Sequence, residues 1–221
     1  MKRPLENCQR AGLTLVELLL VLAVICAFCA LLYPPTGRCK GNSVQVACQN
    51  NLRQLALSEI VWANDHGHDS LPAQLSTNVG GVREFVLAAQ LKEYYKALSN
   101  ELVSARILTC PSNRQSPTDD FANLKTNHLS YFLNADAALG TNDNAMLHGD
   151  RQIEFMPPVR GAIVRLEPDT ALRWRKGIHH KQDESGNVAS TDGSVQTTSN
   201  GAEVREIFQT SSQGKNRIVL P

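Results

Sequence analysis

The stretch RAGLTLVELLLVLAVICAFCALLYPP, residues 10–35, limits what this chain can become. Between residues 13 and 33 the only polar side chains before the terminal tyrosine are Thr14 and Glu17. At about 1.5 Å per residue a helix over this segment reaches about 31 Å, close to the roughly 30 Å of a hydrocarbon core. A cleavable secretory signal has an apolar core of roughly 7–15 residues followed by a small-residue cut site. Tyr33-Pro34-Pro35 is a poor cut site, so the segment is expected to remain as a transmembrane helix. Glu17 is its anomaly. A carboxylate in a membrane segment is costly, and it marks a functional position whose partner should be identifiable.

The residues just before it supply a partner. A cut between Gly12 and Leu13 creates a cationic amine on Leu13 and makes Glu17 the fifth residue of the mature chain. At low dielectric such charges attract strongly, and in a helical filament the amine of a neighbouring subunit can reach Glu17. Lys2, Arg3 and Arg10 precede the segment, while Arg38, Lys40 and Arg53 follow it, so the positive-inside bias is weak. Ala23, Ala27 and Ala30 form a small-residue stripe that lets helices approach closely. Cys26 and Cys29 beside it read as small hydrophobes.

Gly12-Leu13-Thr14-Leu15-Val16-Glu17, the long apolar run and Pro34 resemble the type IV prepilin signature, with Leu13 where that family usually has Phe. The resemblance implies cleavage after Gly12 by a prepilin peptidase and N-methylation of Leu13. It further implies assembly through Leu13 and Glu17 into a pilus or a type II secretion pseudopilus. A second resemblance runs through CQNNLRQLALSEIVWANDHG from Cys48, CPS at Cys110, SYFLN at Ser130 and GDR at Gly149. These segments are similar to a pseudopilin-like group typical of planctomycete and verrucomicrobial lineages. Members end in a His, about nine residues, then Asp-Gly. Here eleven residues separate His180 from Asp192-Gly193.

The chain has 221 residues, room for one anchor and one domain of about 150–190 residues. Its formal net charge is +1, and outside residues 1–33 there are 19 basic and 19 acidic side chains. That balance gives no electrostatic case for nucleic acid, which requires clustered positive charge. The expected organisation is a basic leader over residues 1–12, a transmembrane and assembly helix over 13–33, a linker over 34–42 and an exported domain over 43–221. Pro34, Pro35, Gly37, Gly41 and Asn42 are read as breaking the helix, and Ser43 as capping a second one over roughly 43–65. Val44, Cys48, Leu52, Leu55, Ala56, Ile60 and Ala63 give that helix one apolar stripe, and Gly67 suits its stop.

Residues 82–98 read as one or two helices, with Phe85, Leu87, Ala88, Leu91, Tyr94, Tyr95 and Leu98 as buried candidates. RILTCPS, HLSYFLN, AMLHGDRQIEF and AIVRLEP read as strands, and GNVASTDGSVQTT as a hairpin turning at Asp192-Gly193. SNGAEVREIFQ reads as a helix opened by a capping box of Asn200 and Glu203, and KNRIVLP as a final edge strand. Helices first and strands after argue for an α+β fold with a small antiparallel sheet. The resemblance makes that domain pilin-like.

Three candidate chemistries arise in the domain. Asp65, His66, His68 and Asp69 form a polar cluster, with His148, Asp150, His179 and His180 elsewhere. No segment matches a calcium-binding EF-hand loop, so the cluster is read as a solvated loop, with structural calcium as the alternative and no cofactor expected. His179-His180 with Asp192 could mimic an acid–base pair. However, no nucleophile elbow, zinc-protease motif or phosphate loop is present, and no enzyme is expected. Cys48 and Cys110 would close a loop of about 60 residues if the domain is exported to an oxidising space, with Cys39 as a rival partner.

The function expected is that of a structural pseudopilin of a type II secretion-like filament. Its domain would be exported to the periplasm from the inner membrane. Its partners would be other pilin or pseudopilin subunits, a prepilin peptidase and the inner-membrane secretion machinery. The alternatives are a type IV pilus subunit and a monomeric tethered binding protein that uses the same export signal.

Overall fold

The computed structural model describes residues 14–32, 39–67, 69–113, 116–140, 145–156, 158, 161–167, 170–175, 185–211 and 216–221. The chain divides into two compact units, Met1–Lys40 and Gly41–Pro221.

In the first unit, helix α1 covers Leu15–Leu32. A capping box opens it. The Glu17 amide donates to Thr14 Oγ1 at 3.3 Å, and Glu17 Oε2 accepts from the Thr14 amide at 2.8 Å. The large apolar side chains from Leu15 to Phe28 on α1 are 45–74% exposed. Among the described residues no helix is long and apolar enough to cross a membrane. The 18 residues of α1 reach only about 27 Å. Leu13 and Tyr33, which complete the expected span, lie outside the described residues.

The second unit is α+β. Helix α2 spans Cys39–Asp65, four residues longer at its start than expected. Gly41 and Asn42 therefore lie inside a helix, which corrects the expected break there and the start at Ser43; residues 34–38 of the expected linker lie outside the described residues. An interior glycine costs a helix only about 1 kcal/mol, too little to stop one held along its length by packing. The predicted stripe faces inward: Cys48, Leu52, Leu55, Ala56 and Ala63 are fully buried. The helix ends as Gly67 turns to φ 65°, its amide donating to the Asn64 carbonyl.

Two short helices follow, α3 (Arg83–Leu87) and α4 (Leu91–Ala97). Leu91, Tyr94, Tyr95 and Leu98 are buried, while Leu87 and Ala88 are exposed, against expectation. One turn and a half of helix can present only one side, and Val86 occupies it. RILTCPS forms a 3-10 turn over Ala105–Leu108 instead of a strand. Ser104 caps it by accepting from the Arg106 amide, and the Leu108 carbonyl accepts from Ser130, so no ladder forms.

The strands are β1 (Tyr131–Asn134), β2 (Met146–Asp150), β3 (Ile153–Met156), β4 (Ile163–Leu166), β5 (Ala171–Trp174), β6 (Gly186–Ser190), β7 (Val195–Thr198) and β8 (Asn216–Val219). An antiparallel six-stranded sheet runs β4-β8-β1-β2-β6-β7, with β3 and β5 paired apart from it. Two expectations change here. AMLHGDRQIEF splits into β2 and β3, which belong to different sheets, and β8 lies between β4 and β1 instead of at an edge. The capping box of α5 (Gly201–Ser211) forms, with Asn200 Oδ1 accepting from the Glu203 amide at 2.8 Å.

The core lies on both faces of the sheet. Tyr131, Leu133, Ala189 and Val219 pack with α2 and α4. Their neighbours in sequence, Phe132, Val188 and Ile218, pack with Trp174, Leu172 and Val204 on the other face. That alternation is the period of two that a strand imposes.

Candidate functional site

Gly12, Leu13, His68, His179 and His180 lie outside the described residues. The remaining candidates have definite places. Glu17 sits in the first turn of α1, where both Thr14 contacts fall on Oε2, the hydroxyl donating at 3.0 Å. Capping therefore occupies one oxygen of the carboxylate.

Cys48 and Cys110, 62 positions apart in sequence, form a disulfide with Cα atoms 5.2 Å apart. It joins the buried face of α2 to the segment after the 3-10 turn. Both residues are fully buried.

Asp192 and Gly193 form the β6–β7 turn. Asp192 Oδ1 accepts from the Ser194 amide at 2.8 Å, and Gly193 has φ 80°. A Cβ on Gly193 would lie 2.9 Å from Leu57 Cδ2, so the turn rests against α2. His66 is used at the end of α2. Its ring stacks on Trp62 with centroids 4.2 Å apart, and its Nδ1 donates to the Trp62 carbonyl at 2.8 Å. Asp65 and Asp69 are exposed. Among the described residues no three His, Cys, Asp or Glu side chains come together as a metal set.

A polar seam between α2 and the sheet joins His148 and Asp150, both named from sequence, to Glu59, which was not. Glu59, His148 and Asp150 are each fully buried. Glu59 Oε1 lies 2.7 Å from His148 Nε2, and His148 Nδ1 lies 3.2 Å from the Phe132 carbonyl oxygen. Asp150 Oδ2 accepts from the Asn187 amide at 2.8 Å and from its side chain at 3.0 Å. Asn187 Oδ1 then accepts from Thr197 at 2.7 Å, and Thr197 accepts from Gln49 on α2 at 2.7 Å.

A bulge places His148 in this seam. Met146 pairs with Ser190 and His148 with the adjacent Ala189, so β2 holds one residue more than β6 across that interval. Strict alternation would put Met146 and His148 on one face. The extra residue sends Met146 to the α5 side and His148 to the α2 side. Gly149 lets the Phe132 ring fill the opposite face, because a Cβ there would lie 2.5 Å from Phe132 Cζ.

Tyrosines surround the pair. The rings of Tyr95 and His148 have centroids 6.4 Å apart. Burial first, and the Glu59 carboxylate second, push the Tyr94 and Tyr95 phenols well above their ordinary range. Burial and then the Asp150 charge raise Tyr131, opposed by the nearby Asn51 side chain. The Tyr94 hydroxyl feels Glu59 at close range, yet neither it nor Glu59 Oε2 completes a well-aligned hydrogen bond. The group is fully buried, and its contacts tie α2 to the sheet.

A cleft of about 300 Å³ lined by Arg151, Gln152, Ile153, Arg175, Leu220 and Pro221 contains none of the residues nominated from sequence. Its cations are engaged, Arg151 donating to the Leu129 carbonyl and Arg175 to Glu154.

Glu59 did leave a signal in sequence. It lies four residues after Leu55 and four before Ala63, in register with the apolar stripe. Its partner lies 89 residues away, beyond any local pattern.

No family model, curated protein or solved structure matches the chain.

Proposed function

We propose that the chain is a pseudopilin-like subunit of a type II secretion-like filament, cut between Gly12 and Leu13 and N-methylated at Leu13. In this reading residues 13–33 form the inner-membrane anchor and assembly helix, and the domain is exported to the periplasm. One observation carries the proposal. α1 is apolar around its circumference and exposed, yet a carboxylate stands in its first turn. An isolated helix of that kind is stable only in lipid or against other apolar helices. The buried disulfide adds support, since disulfides persist in oxidising compartments outside the cytosol.

The capping box refines the role of Glu17. Oε2 serves the helix start, and Oε1 accepts from the Leu13 amine of a neighbouring subunit. Methylation keeps that amine cationic, so the pairing survives it. Desolvation offsets much of the attraction, so the pair sets register more than it adds stability.

The test is co-expression with a prepilin peptidase, followed by mass spectrometry of the mature N-terminus and cysteine crosslinking between α1 helices. Methylated Leu13 at the N-terminus is expected, with Gly12→Val left uncut. Glu17→Val should be cut normally but crosslink poorly. Residues 1–12 intact beside an active peptidase would refute processing. Crosslinking of Glu17→Val at the wild-type level would refute the assembly role.

A further inference from the structure

We infer that Glu59 and His148 hold one shared proton, and that the docking of α2 onto the sheet depends on it. The hydrogen-bond inventory carries this. The Phe132 carbonyl only accepts, so His148 Nδ1, 3.2 Å away, bears a hydrogen. The 2.7 Å contact between His148 Nε2 and Glu59 Oε1 needs one more hydrogen between the two atoms. Either the imidazole is cationic beside a carboxylate, or it is neutral and accepts from a carboxylic acid. Both arrangements hold one proton more than a neutral histidine beside an ionised glutamate. Removing that proton would set a lone pair against either the Glu59 carboxylate or the Phe132 carbonyl oxygen, in a site where both side chains are fully buried.

The surroundings favour keeping it. Tyr94 and Tyr95 face the pair from α4, and burial holds both phenols neutral. Tyr131 on β1 is neutral for the same reason. Asp150, on β2 with His148, adds a further buried carboxylate. Glu59, His148 and Asp150 are the buried charged side chains among the described residues, and no lysine or arginine is with them. A proton is therefore the positive charge available to this layer of the core.

The pH consequence has a definite sign. An unfolded chain releases a histidine proton near pH 6.5 and binds a glutamate proton near pH 4.3. Between about pH 4.3 and 6.5 both states hold one proton on this pair, and its contribution is level. Above about pH 6.5 the native state holds more protons than the unfolded one, so the folding constant falls about tenfold per pH unit. Below about pH 4.3 the unfolded state holds more, and the constant falls again. Glu59→Gln removes the shared proton but keeps both contacts, because the amide donates to Nε2 while Nδ1 still donates to Phe132.

The experiment measures chemical unfolding of the full chain in detergent from pH 5 to 8.5, wild type against Glu59→Gln. The ratio of folding constants, wild type over variant, should fall about tenfold per pH unit across the window. A ratio independent of pH would overturn the proposal. If the variant does not fold, nitrogen NMR of histidine-labelled wild type decides. The His148 ring nitrogens should keep constant shifts between pH 5.5 and 8. Shifts of the His148 ring nitrogens that move through that range would overturn the inference.

Discussion

Breaking the Cys48–Cys110 bridge should cost the domain about 4 kcal/mol. The bond ties positions 62 apart in sequence. In the chain-entropy model a loop of that size loses roughly 14 cal/mol/K in the unfolded state, about 4.3 kcal/mol at 25 °C. For a domain near 180 residues this corresponds to a fall in Tm of roughly 8–16 °C. Three samples separate the contributions: oxidised protein, protein unfolded and refolded under reductant, and Cys48→Ala/Cys110→Ala. Oxidised against reduced isolates the crosslink, since the two sulfurs keep their volume. Reduced against the double alanine variant isolates packing. Both side chains are fully buried, so a further loss of about 1 kcal/mol per sulfur is expected there. Urea unfolding followed by tryptophan fluorescence reads each difference, with Trp62 and Trp174 both buried as reporters. A difference below about 1 kcal/mol between oxidised and reduced protein would show that the unfolded chain is already constrained, and the loop argument would fail.

Three further outcomes follow from local geometry. Ala89 has φ 55° and closes α3 in a Schellman turn, with the Gln90 amide donating to Phe85 and the Ala89 amide to Val86. Ala89→Gly should therefore stabilise the domain by about 0.5–1 kcal/mol in urea unfolding, and any loss would refute the strain assignment. Gly193→Ala combines a φ of 80° with a 2.9 Å approach to Leu57 Cδ2 and should cost about 1–2 kcal/mol. Adding Leu57→Ala should not relieve the backbone share of that loss. Ser76 and then the Thr77 amide hold the Glu84 carboxylate down to about 2, so its contribution is complete above the ordinary glutamate range and is lost as pH falls through about 2. Ser76→Ala should move the Glu84 midpoint upward in carbon-detected NMR, and an unchanged midpoint would refute the assigned cause.

Local periodicity made much of the second unit legible. The stripe on α2 repeats every three to four residues, and the structure buries it from Cys48 to Ala63 except for the half-buried Ile60, with Val44 also half-buried. Asn200 and Glu203 announced α5, and Asp192-Gly193 announced the β6–β7 turn, because caps and turns are made by residues close in sequence. The apolar run and Glu17 marked α1 for the same reason, and the Thr14–Glu17 capping box lies within four residues.

What the tertiary structure alone decided is neighbourhood. KNRIVLP reads as a strand from its own residues, but its place between β4 and β1 depends on segments more than 40 residues away. β2 and β6 are buried at all five positions, so neither carries the alternation that would assign a face. The bulge that turns His148 toward α2 exists only in the pairing of β2 with β6. Glu59 stood in the apolar register with no local residue to neutralise it. Its side chain became tenable when folding brought an imidazole to 2.7 Å, because a buried charge is stabilised by a specific atom at contact distance and not by a composition or a period.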